Sequence, residues 1–214
     1  MIQEATVDPL PGALNSAMGA STHRWWDAES GEGSEEMHRQ KLAMLIIILV
    51  GGTAVLLSYI YPIMTQPQYV EPAWGGVTPD IRRFYAPSML LAASGFFFYT
   101  YFLLFRVDAE QARVAGRFVF WVFNVLYAAI LVGSALYMPL TFAFVARPSM
   151  PLWWAIRLVL AIVGLASLGL LGSLLALRPK DPAWAYWLAV AGTITFSFQT
   201  AVLDMLIWPA LFPL

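Results

Sequence analysis

Residues 184–208 read WAYWLAVAGTITFSFQTAVLDMLIW, and this stretch decides what kind of fold the chain adopts. A helix needs roughly 20 apolar residues to cross a bilayer, and the stretch is long enough. It is also the least apolar of the long runs in the chain. Thr193, Ser197, Thr200 and Asp204 recur at steps of four, three and four. On an α-helix that spacing sets them on one face. Thr195 and Gln199 make a second, shorter polar row. Asp204 is the only acidic residue inside any membrane-length run. A carboxyl group there is costly unless it is paired, protonated or hydrated, so this segment is the first place to look for function.

Working outward, four further apolar runs precede it, at about 42–64, 87–105, 118–145 and 152–177. The composition agrees: 60% of the residues are hydrophobic and 12% charged, the latter about half the share of a soluble domain. The expected fold class is an all-α integral membrane protein, a bundle of five transmembrane helices over residues 39–214. Residues 1–38 are expected to form a flexible tail. Gly, Ser, Ala and Pro dominate it, with an acidic cluster of Asp27, Glu29, Glu32, Glu35 and Glu36. It lacks the basic start and apolar middle of a signal peptide. Trp25 and Trp26 are expected to dock on a headgroup boundary or a neighbouring loop. A short helix over residues 34–39 would lead into the first span.

Arginine and lysine sort by side. Arg24, Arg39, Lys41, Arg106, Arg113, Arg117, Arg178 and Lys180 fall on the tail side, and Arg82, Arg83, Arg147 and Arg157 on the other. The positive-inside rule then places the tail in the cytoplasm and the C-terminus outside, in a plasma or inner membrane. The bilayer is the first expected partner, with other membrane proteins or further copies of the chain beside it. With a net charge of −1 and no basic cluster, no nucleic acid is expected.

Local signals fill in the bundle. Gly51 and Gly52 allow close helix approach or a bend. The proline-punctuated connection from 65 to about 85 either caps the bundle or merely connects, with Trp74, Gly75 and Gly76 as a turn. Pro87 suits the first turn of the second span. The run Phe96, Phe97, Phe98, Tyr99, Tyr101, Phe102 and Phe105 offers rings to a flat ligand, but packing and lipid contact are their usual use. Pro139 should kink the third span. In that span, Asn124 suits an interhelical hydrogen bond of about 1 kcal/mol. Gly169 with Ser173, and Gly172 with Ala176, give the fourth span small-residue spacing.

Arg157 enters the fourth span, and Asp204 leaves the fifth, at similar depth on antiparallel neighbours. At about 1.5 Å per residue the two are expected to pair. The candidate ligand site is therefore Asp204, Arg157, Gln199, Thr200, Ser197, Thr193 and Asn124, between spans 3, 4 and 5.

Several chemistries are excluded. Cysteine is absent, which removes thiolate metal sites and cysteine nucleophiles. Both histidines, His23 and His38, precede the first span, so no imidazole serves a metal or a Ser–His dyad within the bundle. Aspartyl proteolysis needs two carboxylates. No phosphate-binding glycine loop is present, and no catalytic residue, cofactor or metal is expected. Gln199, Asp204, Trp208 and Pro209 are similar in type to the Gln, Asn and Trp-Pro run of the translocator protein family of tryptophan-rich sensors. Their spacing differs and they lie on the last helix rather than the third, so the resemblance assigns no role to any residue.

Three functions stand open. The first, preferred chiefly because a binding site needs a convergence of groups that sequence does not show, is a non-catalytic membrane subunit or helper that packs against other membrane proteins. The second is binding or transport of a small apolar or amphipathic ligand at the site above. A lipid-modifying enzyme with a single acid and Tyr or Trp helpers is a third. A polar row converging on a cavity of roughly 300 Å³ or more favours the ligand. A tightly packed row beside a bare small-residue face favours the partner.

Overall fold

The computed structural model describes the backbone of residues 15–109, 111–116 and 120–213, with side chains from Arg39 onward. Five helices are long and apolar enough to cross a membrane. Helix α1 runs Asn15–Thr65, and its apolar part is Arg39–Thr65. Helices α2 (Pro79–Phe105), α3 (Trp121–Ala146) and α4 (Met150–Ala176) follow. The closing helix is composite: α5 covers Ala183–Ser197, a π-helical segment covers Phe198–Ile207, and α6 is the short turn Trp208–Leu211. The expected lead-in at 34–39 is part of the longer α1. The side chains of the acidic cluster and of Trp25 and Trp26, with all of residues 1–14, lie outside the described residues.

Helix α2 begins eight residues earlier than the sequence suggests, and Pro87 lies inside it. Its start has a recognisable signal in Thr78-Pro79-Asp80. Pro79 occupies the first turn, where a missing N–H costs nothing, and Asp80 complements the positive helix end. Helix α3 likewise continues through Pro139.

The helices form an arc. Helix α1 packs on α3, α3 on α4, α4 on α5 and the π-helical segment, and α5 on α2. Helices α1 and α2 are consecutive in the chain yet scarcely touch. Glycines set the closest approaches. A Cβ on Gly95 of α2 would lie 2.3 Å from the Gly192 carbonyl oxygen, and one on Gly192 would lie 2.7 Å from the Gly95 oxygen. Those two backbones meet with nothing between them, as small residues permit. Gly51 lets α1 approach Leu131 of α3, whereas its neighbour Gly52 faces open space.

Two apolar clusters result. One lies at the tail-side end, around Phe102, Phe123, Tyr127, Leu170 and Leu174. There Phe96, Tyr99, Tyr127 and Phe196 pack ring against ring, while Phe97 and Phe105 face outward. A two-residue antiparallel ladder, Arg113–Val114 with Leu177–Arg178, ties the connections at that end. The other cluster gathers Val77, Tyr85, Phe144, Trp153, Ile156, Leu203 and Trp208 at the far end.

The connection between α1 and α2 folds back over the far end as a cap. It is built from two 3-10 turns, Pro67–Tyr69 and Pro72–Trp74. Val77 is buried, Trp74 packs edge-on against Tyr85, and Trp208 Nε1 donates to the Ala73 carbonyl at 3.2 Å. Gly75 has φ +60°, which glycine adopts without strain, and a Cβ on Gly76 would fall 2.0 Å from the Leu211 carbonyl oxygen. The chain's last turn thus clamps the cap. Glu71 and Arg82 close its outer edge with an ion pair at 2.6 Å.

Candidate functional site

The closing helix sorts its polar residues onto two surfaces. Thr193, Ser197, Gln199 and Thr200 are all buried. Ser197 Oγ donates to the Ser167 carbonyl at 3.0 Å, and Thr200 Oγ1 donates to Ser167 Oγ at 2.7 Å. Ser167 Oγ in turn donates to the Gly164 carbonyl. These hydroxyls bind α5 and the π-helical segment to α4, next to Gly164, whose missing side chain makes room for Ala201 and Met205. Thr193 bonds the carbonyl of Ala189, one turn back on its own helix. Most of the predicted row is therefore packed between helices.

Asp204 leaves that row because the helix changes its winding. An α-helix would stack Asp204 near Thr200. From Phe198 onward the backbone bonds run i→i+5, so residues five apart come together instead. Gln199 and Asp204 are five apart, and Gln199 Nε2 donates to Asp204 Oδ1 at 2.8 Å. Near the start of this segment the single Thr200 hydroxyl proton is shared between Ser167 Oγ and the Phe196 carbonyl, which lies at 3.0 Å. That carbonyl is the acceptor an α-helix would offer to the Thr200 N–H, and such back-bonding bends helices. At the other end the Leu203 carbonyl accepts both the Trp208 N–H and the Tyr85 hydroxyl, which pins α2 beside Asp204.

The half-buried Asp204 lines a cavity of about 230 Å³. Tyr59 and Ile63 of α1 share its wall with Tyr85 and Met89 of α2, and Tyr137, Met138 and Thr141 of α3. Phe142 of α3, Val70, Ala73 and Trp74 of the cap, and Trp208 complete it. Ile63 and Met89 are each 41% exposed although both line the cavity. Its mouth therefore lies between α1 and α2, where the arc is open. Three larger hollows among the described residues are open grooves, and these three include no residue of the predicted row.

Two predicted members are elsewhere. Arg157 does not pair with Asp204. It is exposed on the outer face of α4, with its guanidinium 5.5 Å from the centre of the Trp154 ring. The ion pairs among the described residues are Arg82–Glu71 and Arg83–Asp80. Depth counted along the sequence does not fix facing: Asp204 turns towards α1, α2 and α3, away from the side of α4 that carries Arg157. Asn124 lies in the first turn of α3, at the tail-side end, and donates to the Gln40 carbonyl at 3.2 Å. It serves the interhelical hydrogen bond expected of it and does not reach Asp204.

Sequence reasoning missed Tyr59, Tyr85, Tyr137, Thr141 and Trp74. The available signal was positional. Tyrosines near the far ends of three spans, and a tryptophan in the proline-rich connection, all fall at the depth of the single carboxylate. Compared with known proteins, the chain matches no family model, no curated protein and no solved structure.

Proposed function

We propose that the chain is an integral membrane protein that binds a small amphipathic molecule at Asp204, taking it from the bilayer through the gap between α1 and α2. In this reading residues 1–38 are a cytoplasmic acidic tail, the far end of the bundle faces outward, and the membrane is the plasma or an inner membrane. The bilayer setting rests on the exposed apolar surface. Leu45, Ile46, Leu49, Val50, Leu56, Leu57 and Ile60 of α1 are all exposed, a patch that would drive aggregation in water. The charge sorting across the helix ends supplies the orientation.

One observation carries the binding reading: Asp204, the one acidic residue within the apolar runs read from the sequence, lines a cavity, with no cationic side chain among the residues of its wall. A carboxylate retained for packing would be enclosed by partners. The size of the cavity narrows what fits. At about 230 Å³ it falls below the roughly 300 Å³ of a drug-sized pocket. A polar head fits inside, and its apolar tail leaves through the mouth, where Ile63 and Met89 meet the acyl chains.

The test is native mass spectrometry of the full chain from neutral detergent, beside a mouth-blocking variant, Met89→Trp. Wild type is expected to retain an amphiphile that the variant loses at equal thermal stability. Equal retention by both would refute the binding site. The subunit reading is the second, and the criteria set from the sequence lean towards it: the hydroxyl row is packed between helices, the cavity is smaller than roughly 300 Å³, and a small-residue position of α4 lies bare. The α4 face at Gly169, Gly172 and Ser173 lines an open groove, and Gly172 is exposed with nothing within 4 Å of where its Cβ would be. Partner dependence is tested by whether the chain stays monodisperse and folded when purified alone.

A further inference from the structure

Resting on the reading of the Asp204 cavity as an amphiphile site, we infer that the head group it takes is a cation, a protonated or quaternary alkylamine. The wall combines a carboxylate with the rings of Tyr59, Trp74, Tyr85, Tyr137 and Trp208, and contributes no lysine, arginine or histidine. Aromatic faces attract a cation within about 6 Å of the ring centre, and a carboxylate supplies the countercharge. An anionic head would meet Asp204 with no cation to offset the repulsion. A neutral head would leave the carboxylate unmatched.

The neighbouring protein groups leave that role open. Asp204 Oδ1 is bonded by Gln199, while Oδ2 has no hydrogen-bond partner among the described residues. The guanidinium of Arg82, which stacks over the wall residue Trp74 at 5.1 Å, is held by Glu71 and by the Val77 carbonyl. It is thus already paired. The Tyr85 hydroxyl and the Trp208 indole N–H are committed to the Leu203 and Ala73 carbonyls. Neither donor is then free for an anionic or carbonyl head, and the remaining hydroxyls of the wall, on Tyr59, Tyr137 and Thr141, carry no charge to offset an anion. A cavity of about 230 Å³ has room for about eight waters at roughly 30 Å³ each. That is enough for a trimethylammonium head and its first methylenes, the rest of the chain passing between Ile63 and Met89.

The experiment titrates the full chain in maltoside micelles, which carry no charged head, with decyltrimethylammonium and separately with decanol. Tryptophan fluorescence reports occupancy, since Trp74 and Trp208 form part of the wall. Wild type should bind the ammonium at least about tenfold more tightly than the alcohol. Asp204→Asn should abolish that preference, and Asp204→Glu should restore part of it. Size-exclusion profiles and melting temperatures show which variants remain folded. If wild type binds both probes equally, the cation inference falls and the amphiphile site stands. If it binds neither, both fall. If Asp204→Asn keeps the preference, the assignment to this carboxylate is overturned.

Discussion

Replacing Asp204 together with its one partner, as Gln199→Met with Asp204→Leu, is predicted to stabilise the bundle while destroying the site. Asp204 accepts a single hydrogen bond, from Gln199 Nε2 at 2.8 Å. A hydrogen bond to a charged group contributes about 1.5–3 kcal/mol. Two costs oppose it. Desolvating a carboxylate carries an effective penalty of several kcal/mol even after relaxation. Gln199 Oε1 is buried without a partner, which costs about 1–3 kcal/mol more. Water in the cavity relieves part of the first cost, so the net gain for the apolar pair is on the order of 1–2 kcal/mol. Asp204→Leu alone should gain less, because it strands the Gln199 amide. The assay is reversible unfolding in mixed micelles titrated with dodecyl sulfate, followed by circular dichroism, with amphiphile binding measured in parallel. A loss of about 2 kcal/mol or more in the double variant would mean that the carboxylate is structural glue, and would refute the reasoning from an unmatched charge.

Three further outcomes test the packing that holds the cavity open. Gly95→Ala places a Cβ 2.3 Å from the Gly192 oxygen, where about 3.3 Å is the normal closest carbon–oxygen contact. Helices α2 and α5 must separate by about 1 Å, at about 1–3 kcal/mol. Gly52→Ala, into open space, should be neutral or slightly stabilising, so equal unfolding midpoints for the two variants would contradict the close crossing. Trp208→Phe removes the bond to the Ala73 carbonyl and should cost about 1 kcal/mol. It should also speed proteolysis within residues 66–78, and an unchanged cleavage rate would show that the clamp does not hold the cap. Arg157→Ala should change stability by less than about 0.5 kcal/mol, as for other exposed positions. A loss of about 3 kcal/mol would instead signal the buried ion pair that the structure lacks.

The spans were legible because membrane-length apolar runs have few alternatives: each of the five runs falls on a helix. Asp204 was legible for the same reason, as the one acid among them. What the sequence hid was facing. The row Thr193, Ser197, Thr200 and Asp204 was laid out on α-helical spacing, and a π-helical segment breaks that spacing after Ser197. Nothing in the apolar pattern marks such a segment, although the hydroxyl of Thr200 supplies a local reason for it. Arg157 lies on a face away from Asp204, because counting residues says nothing of facing, which depends on the order of helices round the arc. That order puts α5 against α2 and leaves α1 beside the mouth. It rests on glycine contacts such as Gly95 with Gly192, which only the assembled backbones reveal. The tyrosines of the wall come from three separate helices and become neighbours only once that order is known.

The central claim is that an amphiphile lodges against Asp204 between α1 and α2. The most direct measurement is photolabelling of the full chain with a diazirine-bearing alkylamine, followed by peptide mapping. Label is expected on the peptides carrying Tyr59, Met89 and Met138, and should be lost in Asp204→Asn. Label concentrated on the Gly169–Ser173 face of α4, or spread over the outer surface of α1 and indifferent to Asp204, would contradict the account.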